Sequence, residues 1–309
     1  MDNNQLTIIQ HPESLDQIKA LVIDGLNSPH SKSAYGHAID DFLTWYQDRG
    51  KPGLTKATVN AYKAELLETG NLAPSTINLR LSAIRRLAAE AADNGLIAEI
   101  QGNGVAKVKG IAARGVRSGN WLTLDQAQLL ISAPDLTRLK GIRDRAILAV
   151  MIGAGLRRSE VANLKIENIQ QRAGRWVLPD LTGKGNRIRT VPIPNWAKRA
   201  IDEWTEAANL SGGYVFRPIN KGDNITGEKL TSQAVQNIVK EYAAACGFNL
   251  AAHDLRRTFA QLARKANAPI DQIQLTLGHA SVQTTERYLG TKQDLTTAPC
   301  DLINIHLDS

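Results

Sequence analysis

The sequence predicts a mainly helical chain of two domains, with one small antiparallel β-sheet in the second. Three observations carry that prediction. Apolar residues recur at helical spacing through most of the first hundred residues. A Gly-rich basic stretch, Gly102 to Asn120, then lacks any sustained apolar period. Beyond it, "RWVLPDL" and "RIRTVPI" flank the turn sequence "TGKGN", which reads as a hairpin.

The first domain, 1–104, reads as four helices. Leu15 to Leu26 supplies one. "SKSAYGHAIDDFLTWYQDRG" supplies the next, with Tyr35, Ile39, Phe42, Leu43 and Tyr46 on one face and Gly50 and Pro52 ending it. In "TKATVNAYKAELLETG", Thr55 is a plausible N-cap and Gly70 marks the C-terminal end. "APSTINLRLSAIRRLAAEAADNGL" aligns Ile77, Leu81, Ile84, Leu87 and Ala91 and stops at Gly95. Residues 105–120 read as a basic interdomain linker.

The second domain, 121–300, opens on a helix capped by Thr123. An apolar helix in "RDRAILAVMIGAGLRRSEVANL" breaks at Gly153 and Gly155 and restarts at Ser159. After the hairpin come helices in "TSQAVQNIVKEYAAACG", "HDLRRTFAQLARKAN" and "PIDQIQLTLG". The tail 301–309 follows, with "DLINIHL" alternating as a short strand would.

Composition narrows the function classes. Hydrophobic residues make up 43% of the 309 positions, enough for two real cores. The longest nearly uninterrupted apolar run, Ala146 to Leu156, is far short of the roughly 20 residues a bilayer needs. The start of the chain lacks a basic segment followed by an apolar one, so no secretory signal is expected. Two cysteines, Cys246 and Cys300, form neither a disulfide framework nor a zinc-ligand spacing, which points to a reducing, cytoplasmic setting. The formal charge of +7 is uneven: residues 1–110 hold 11 Lys+Arg against 12 Asp+Glu, and residues 121–309 hold 24 against 18. That excess suits a polyanion such as nucleic acid.

Several polar residues of the second domain stand where pattern alone does not require them. Arg157 follows the Gly break of an apolar helix, with Glu160 three residues on. His253 and Arg256 share one face at a helix start. Lys184 sits at a hairpin tip, and His279 precedes Tyr288 by nine residues in a polar segment, "LGHASVQTTERYLG". Each has an ordinary reading taken singly: a surface ion pair, a helix cap, a solvated turn lysine, the last apolar side chain of a helix. Taken together they could handle one phosphodiester. Two guanidinium groups can clamp the non-bridging oxygens. A tyrosine, with an unperturbed pKa of about 10, can attack when a base or a positive field assists it. A lysine can protonate the leaving oxygen. The chain shows neither a metal-holding carboxylate cluster nor a Gly-x4-Gly-Lys-Ser/Thr phosphate loop.

The blocks "LTLDQAQLL", "AGLRRSEVANL", "TGKGNRIRTVPI", "HDLRRTFAQLA" and "LGHASVQTTERYL", in that order and after "STINLRLSAIRRLAAEAADNGLI", closely resemble the tyrosine recombinase, or phage integrase, family. The resemblance spans essentially the whole chain and is nearest to the simple two-domain, Xer-like members. No extra arm-binding domain is expected ahead of the helical unit, unlike in the larger phage integrases. Arg158 also departs from the family, standing where an apolar residue is common.

The resemblance implies a helical core-binding, SAM-like domain and a catalytic domain that together form a C-shaped clamp on double-stranded DNA. It implies strand cleavage and rejoining through a 3′-phosphotyrosine, without metal, cofactor or ATP. Arg157 and Arg256 would hold the scissile phosphate, Tyr288 would attack, and Lys184 would be the general acid. His253 would assist proton transfer, His279 would hydrogen-bond the phosphate, and Glu160 would orient the pocket.

Phosphate contacts are expected from Lys107, Lys109, Arg114 and Arg117, and base contacts from Thr76, Asn78 and Arg80 and from Ser232, Gln233 and Gln236. Two strand breaks at each of two sites require a tetramer on DNA, in which the tail either docks on a neighbouring protomer or packs on its own domain. An accessory protein is a possible further partner. Type IB topoisomerase-like relaxation and a catalytically silent DNA-binding regulator are the rival readings. The natural task, whether chromosome-dimer resolution, phage integration or transfer of a mobile genetic element, is not legible.

Overall fold

The computed structural model describes residues 14–112, 120–183 and 188–289, except for the side chains of Arg287 and Tyr288. The chain divides into two units. The first holds α1 (Leu15–Asp24), α2 (Pro29–Asp48), α3 (Lys56–Glu68), α4 (Pro74–Asp93) and α5 (Glu99–Ala106). Local sequence sets the boundaries. The Ser14 and Thr55 hydroxyls cap α1 and α3, and prolines open α2 and α4, where the missing N–H costs no hydrogen bond. The α4 stripe Ile77, Leu81, Ile84, Leu87 and Ala91 is buried against Ile39, Phe42 and Tyr62.

The fifth helix corrects the sequence-based boundary. Residues 102–106, taken there as the end of the helical unit and the start of a linker, form the body of α5, with Val105 and Val108 buried in the first core. Gly102 serves packing here: a Cβ on it would lie 2.8 Å from the Ala92 Cβ and 3.2 Å from the Ala88 carbonyl, so glycine lets α5 approach α4. The following residues are clasped as well. Asn78 Nδ2 donates to the Ile111 carbonyl at 2.9 Å, and its Oδ1 accepts from the Ile111 N–H at 2.7 Å. Arg85 Nε donates to the Val108 carbonyl at 3.1 Å.

The second unit is built around α7 (Leu139–Gly153), buried continuously from Ala146 to Ile152. Packed on it are α6 (Leu124–Ser132), α9 (Asn195–Ala207) and α11 (Ala252–Lys265). The short α8 (Arg158–Ala162) follows α7, and α10 (Ser232–Ala245), α12 (Ile270–Leu277) and α13 (Val282–Leu289) are the other α-helices among the described residues. Strands β1 (Gln170–Arg172), β2 (Arg175–Thr182) and β3 (Ile188–Ile193) form an antiparallel sheet in that order. Its register pairs Trp176 with Ile193 and Thr182 with Ile188, and is irregular between Leu178 and Leu181.

The expected hairpin is therefore present, while β1 and α9 go beyond the sequence-based expectation. The polar stretch before Tyr288 is helical: Ser281 stands at its start, with Thr284 N–H donating to Ser281 Oγ at 3.4 Å, and Thr285 and Leu289 are buried. No helix among the described residues is long and apolar enough to cross a membrane. Arg114, Arg117, Lys184, Cys300 and the tail 301–309 lie outside the described residues.

Candidate active site

The end of α7 creates the first part of the site. Gly155 takes φ +61°, and a Cβ there would lie 2.7 Å from the Phe259 ring, so the turn needs glycine on both counts. That turn delivers Arg157 to the start of α8. Glu160, three residues on, folds back: its Oε2 accepts the Arg157 backbone N–H at 2.8 Å, and its Oε1 accepts from Arg157 Nη1 at 2.7 Å. Arg158, by contrast, is exposed.

Glu160 is 6% exposed and is shared with a residue the sequence reading missed. Arg189 of β3, itself 8% exposed, donates from Nη1 to Glu160 Oε1 at 3.0 Å and from Nη2 to Oε2 at 2.9 Å. Its Nε donates to the Thr276 carbonyl at 2.8 Å. Strand phase was the available signal. Arg189 alternates with Val191 and Ile193, which are buried, whereas Ile188 is exposed. An arginine on the inward face of a strand calls for a buried carboxylate.

Arg256, in the second turn of α11, is 1% exposed. Its Nη1 donates to the Gly155 carbonyl at 2.6 Å, and its Nη2 to the Leu277 carbonyl, which also receives Arg157 Nη2 at 3.5 Å. Arg256 Nη1 lies 4.0 Å from Glu160 Oε2. Among the described residues, three guanidinium cations thus surround one carboxylate, two positive charges in excess of it.

Electrostatics follow from that excess. Burial alone would push the Glu160 carboxyl up, but the hydrogen bonds from Arg189 and the Arg157 N–H, with the charges of both arginines, hold it below its ordinary value. Loss of hydration and the Arg256, Arg157, His253 and Arg189 charges push the His279 imidazole down to about 4. His253 is pushed down in the same way, by loss of hydration and then by Arg256 and Arg257. Both rings are therefore neutral at pH 7. His279 follows Gly278, which ends α12 at φ +63°, and its Nδ1 lies 2.9 Å from the hydroxyl of the buried Thr285.

The structure thus brings Arg157, Glu160, Arg256, His253 and His279 into one electrostatic cluster and adds Arg189 and Thr285. Lys184 lies outside the described residues, as does the Tyr288 side chain. The backbone beside that tyrosine is anchored to α11, because Gln261 Nε2 donates to the Leu289 carbonyl at 2.7 Å.

The DNA-contact residues have mixed placements. Lys107 and Lys109 are exposed and Thr76 is half-buried. Asn78 is not a free polar edge, since Ile111 occupies both ends of its amide. Arg80 pairs with Asp41 and with the Tyr62 hydroxyl. On α10, Gln233 is exposed and donates to Asn237 at 2.9 Å, Ser232 is half-buried, and Gln236 Oε1 accepts the Ala252 N–H at 3.2 Å, which ties α10 to the start of α11.

A family model described as "Phage integrase family" matches residues 120–294, a span that contains every residue of this cluster. The chain belongs to the phage integrase family. It is a tyrosine-type site-specific recombinase of the Xer-like kind. The family's N-terminal SAM-like domain matches residues 17–95, within the first unit. Among curated relatives, the tyrosine recombinase XerC of Haemophilus influenzae is 30% identical over 281 residues, covering 87% of this chain and 88% of that protein. The tyrosine recombinase XerD of Pseudomonas aeruginosa is 28% identical over 292 residues, covering 92% and 94%.

Solved structures share the fold. The XerH site-specific recombinase bound to palindromic difH substrate aligns with TM-score 0.67 at 18% identity, over 92% of this chain and 82% of that one. The Tn1549 transposon integrase in complex with circular intermediate DNA aligns with TM-score 0.69 at 16% identity, over 95% and 100%.

Proposed function

We propose that this recombinase cleaves and rejoins double-stranded DNA through a 3′-phosphotyrosine on Tyr288. The observation that carries the reading is the pocket of Arg157, Arg189 and Arg256 around Glu160, with two positive charges in excess and two neutral imidazoles beside it. Such a pocket favours an anion whose charge grows in the transition state. Arg157 and Arg256 hold the non-bridging oxygens of the scissile phosphate. The Tyr288 oxygen attacks phosphorus in line, and the bond to the 5′-oxygen breaks. His253, uncharged at neutral pH, takes the phenolic proton, Lys184 gives a proton to the 5′-oxygen, and His279 hydrogen-bonds the phosphate. Reversal by a 5′-hydroxyl of another strand rejoins the backbone. The phosphotyrosine ester keeps the phosphodiester's free energy, so the cycle needs no ATP.

Both units contact the duplex in this reading. Lys107, Lys109, Arg114 and Arg117 supply salt-dependent grip, and Thr76, Ser232 and Gln233 read bases. Recombination proceeds in a tetramer on paired sites. A groove of about 920 Å³ in the second unit, lined by Leu124, Ile131, Ile152, Trp196 and Phe259, offers apolar surface for the 301–309 tail of a neighbouring copy. Trp196→Glu should then weaken cooperative pairing of two sites in gel shifts while single-site binding persists. Unchanged cooperativity would remove the groove from the assembly.

The deciding experiment traps the covalent intermediate on a nicked suicide duplex in the presence of a chelator, comparing wild type with Tyr288→Phe. An adduct formed by wild type alone establishes the nucleophile. Tight binding of the duplex without any adduct would favour the silent regulator.

A further inference from the structure

We infer that Arg189 is a positioning residue for strand cleavage: it neutralises Glu160 and seats the turn that presents His279, leaving the charge of Arg157 and Arg256 for the phosphate. The inference rests on the phosphodiester reading above. Glu160 by itself creates a conflict. Its carboxylate fixes Arg157 through the backbone N–H at 2.8 Å and Nη1 at 2.7 Å. A carboxylate beside two phosphate-binding guanidinium groups also cancels part of their field and repels the phosphate they must hold.

Arg189 removes that conflict geometrically. Its planar fork meets both carboxylate oxygens, Nη1 with Oε1 at 3.0 Å and Nη2 with Oε2 at 2.9 Å. Each oxygen then accepts two hydrogen bonds, one from Arg157 and one from Arg189, so all of roughly four acceptor positions are filled and the carboxylate cannot rotate. The excess charge of the pocket depends on this third cation.

The Nε donor works on the other wall. Arg189 Nε holds the Thr276 carbonyl at 2.8 Å, in the last turn of α12. The stem of the same side chain underlies Gly278, where an added Cβ would lie 2.8 Å from Arg189 Cδ. His279 is the next residue, and the intervening Leu277 carbonyl receives Arg256 and Arg157. One buried side chain on β3 therefore touches the supports of both phosphate-binding arginines and of the histidine turn. Lysine has neither the fork nor the third donor direction needed to do this.

The test uses full-length protein and a nicked duplex whose arms carry the sequence that wild type selects from a random pool. Arg189→Met, Arg189→Lys, Arg157→Ala and the double variant Glu160→Gln/Arg189→Met are compared for thermal unfolding, duplex binding and adduct formation. Arg189→Met should bind the duplex like wild type and form adduct about 10- to 100-fold more slowly, the range found when supports of site ligands are removed. Arg189→Lys should recover only part of that loss. The double variant should be faster than Arg189→Met, because it no longer buries an uncompensated carboxylate beside the phosphate. A neutral methylphosphonate at the scissile position should shrink the Arg189→Met defect, as it should that of Arg157→Ala.

A double variant slower than Arg189→Met, or a defect equal on both substrates, would leave Arg189 a structural residue only and overturn the inference. If Arg189→Met does not fold, the double variant decides: adduct formation within about 10-fold of wild type supports the inference, and a loss as deep as that of Arg157→Ala overturns it. A wild type that binds the duplex and yields no adduct would instead sink the recombination reading itself.

Discussion

Among its described residues the second unit contains two ionic clusters, each built on a buried carboxylate, and their difference in balance separates structure from chemistry. In one, Asp144 is fully buried on α7 and receives Arg143 Nη2 at 2.7 Å, the Tyr242 hydroxyl at 3.1 Å and the Lys140 ammonium at 3.3 Å. Glu241 pairs with Lys140 at 3.0 Å, so two cations meet two carboxylates. Arg143 Nη1 ends on the Arg217 carbonyl at 3.0 Å. That cluster is closed. In the other, three arginines meet Glu160 among the described residues, and two guanidinium groups also reach the Leu277 carbonyl. A balanced buried cluster joins elements together. An unbalanced one stores a field for a ligand that brings the missing negative charge.

The comparison breaks if the two clusters respond alike to losing a member. Arg256→Ala should slow adduct formation about 1000-fold, as removal of a transition-state donor does. It should cost only about 1–3 kcal/mol of stability, from the Gly155 carbonyl left without its donor and the Leu277 carbonyl left with Arg157 alone among the described residues. Asp144→Asn should do the reverse. It leaves the buried Arg143 without its counter-charge, at a cost of about 3–5 kcal/mol, with adduct formation per folded molecule near wild type. Denaturant unfolding and single-turnover trapping on the same preparations measure both. A fall in chemistry for Asp144→Asn as deep as for Arg256→Ala would mean that the closed cluster is part of the site.

Much of this was legible in the sequence, for reasons that particular residues show. The α4 stripe and the β2–β3 hairpin follow from period and turn chemistry, and Arg157, Glu160, His253, Arg256 and His279 could be named from motif and spacing. What escaped did so where one residue type serves an uncommon purpose. Gly102 reads as linker composition, yet it lets α5 lie against α4, and Val105 and Val108 are too sparse to announce a helix. Asn78 reads as a base contact at a helix start, yet its amide is consumed by Ile111. Arg189 stands in an alternating strand where charge suggests solvent, although its phase with Val191 and Ile193 points inward. Tertiary partners decide these cases, and local pattern carries no record of them. The helix α9 is different: Ala197, Ala200, Ile201 and Trp204 are buried at ordinary helical spacing and needed only to be read.

A second way to sharpen the comparison is pH, because burial, and then the charges of the unbalanced cluster, suppress protonation of its imidazoles. His279 is held at about 4 in the folded chain, below its ordinary 6.5, so between those values the unfolded chain binds the additional proton. Its contribution to stability is complete above about 6.5 and is lost as pH falls toward 4. His253 is shifted in the same direction. Glu160 is lowered from 4.5 and its contribution is lost only below that value, so the histidine window lies above it. Urea unfolding at pH 7, 5.5 and 4.5 should therefore show wild type losing stability over this range, and His279→Asn losing less. Equal losses would mean that the ring is not held neutral by the cluster.

The smallest expected effect tests whether the excess charge needs an oriented neutral ring beside it. Thr285 is fully buried, and its hydroxyl meets His279 Nδ1 at 2.9 Å. A neutral imidazole offers one donor and one acceptor, and a hydroxyl can meet either at Nδ1; the pairing in which Thr285 donates leaves the proton on Nε2, the form able to donate to a phosphate oxygen, and it is this pairing that the substitution tests. Thr285→Val keeps the shape and removes that instruction. Adduct formation should fall about 10-fold, one step of roughly 1.4 kcal/mol, with binding of the duplex unchanged. In the His279→Asn background the same substitution should cost nothing further, since the hydroxyl acts through the ring. Independent, additive losses in the two backgrounds would show that Thr285 serves α13 packing, and that the pocket's arginines act on the phosphate without a directed imidazole.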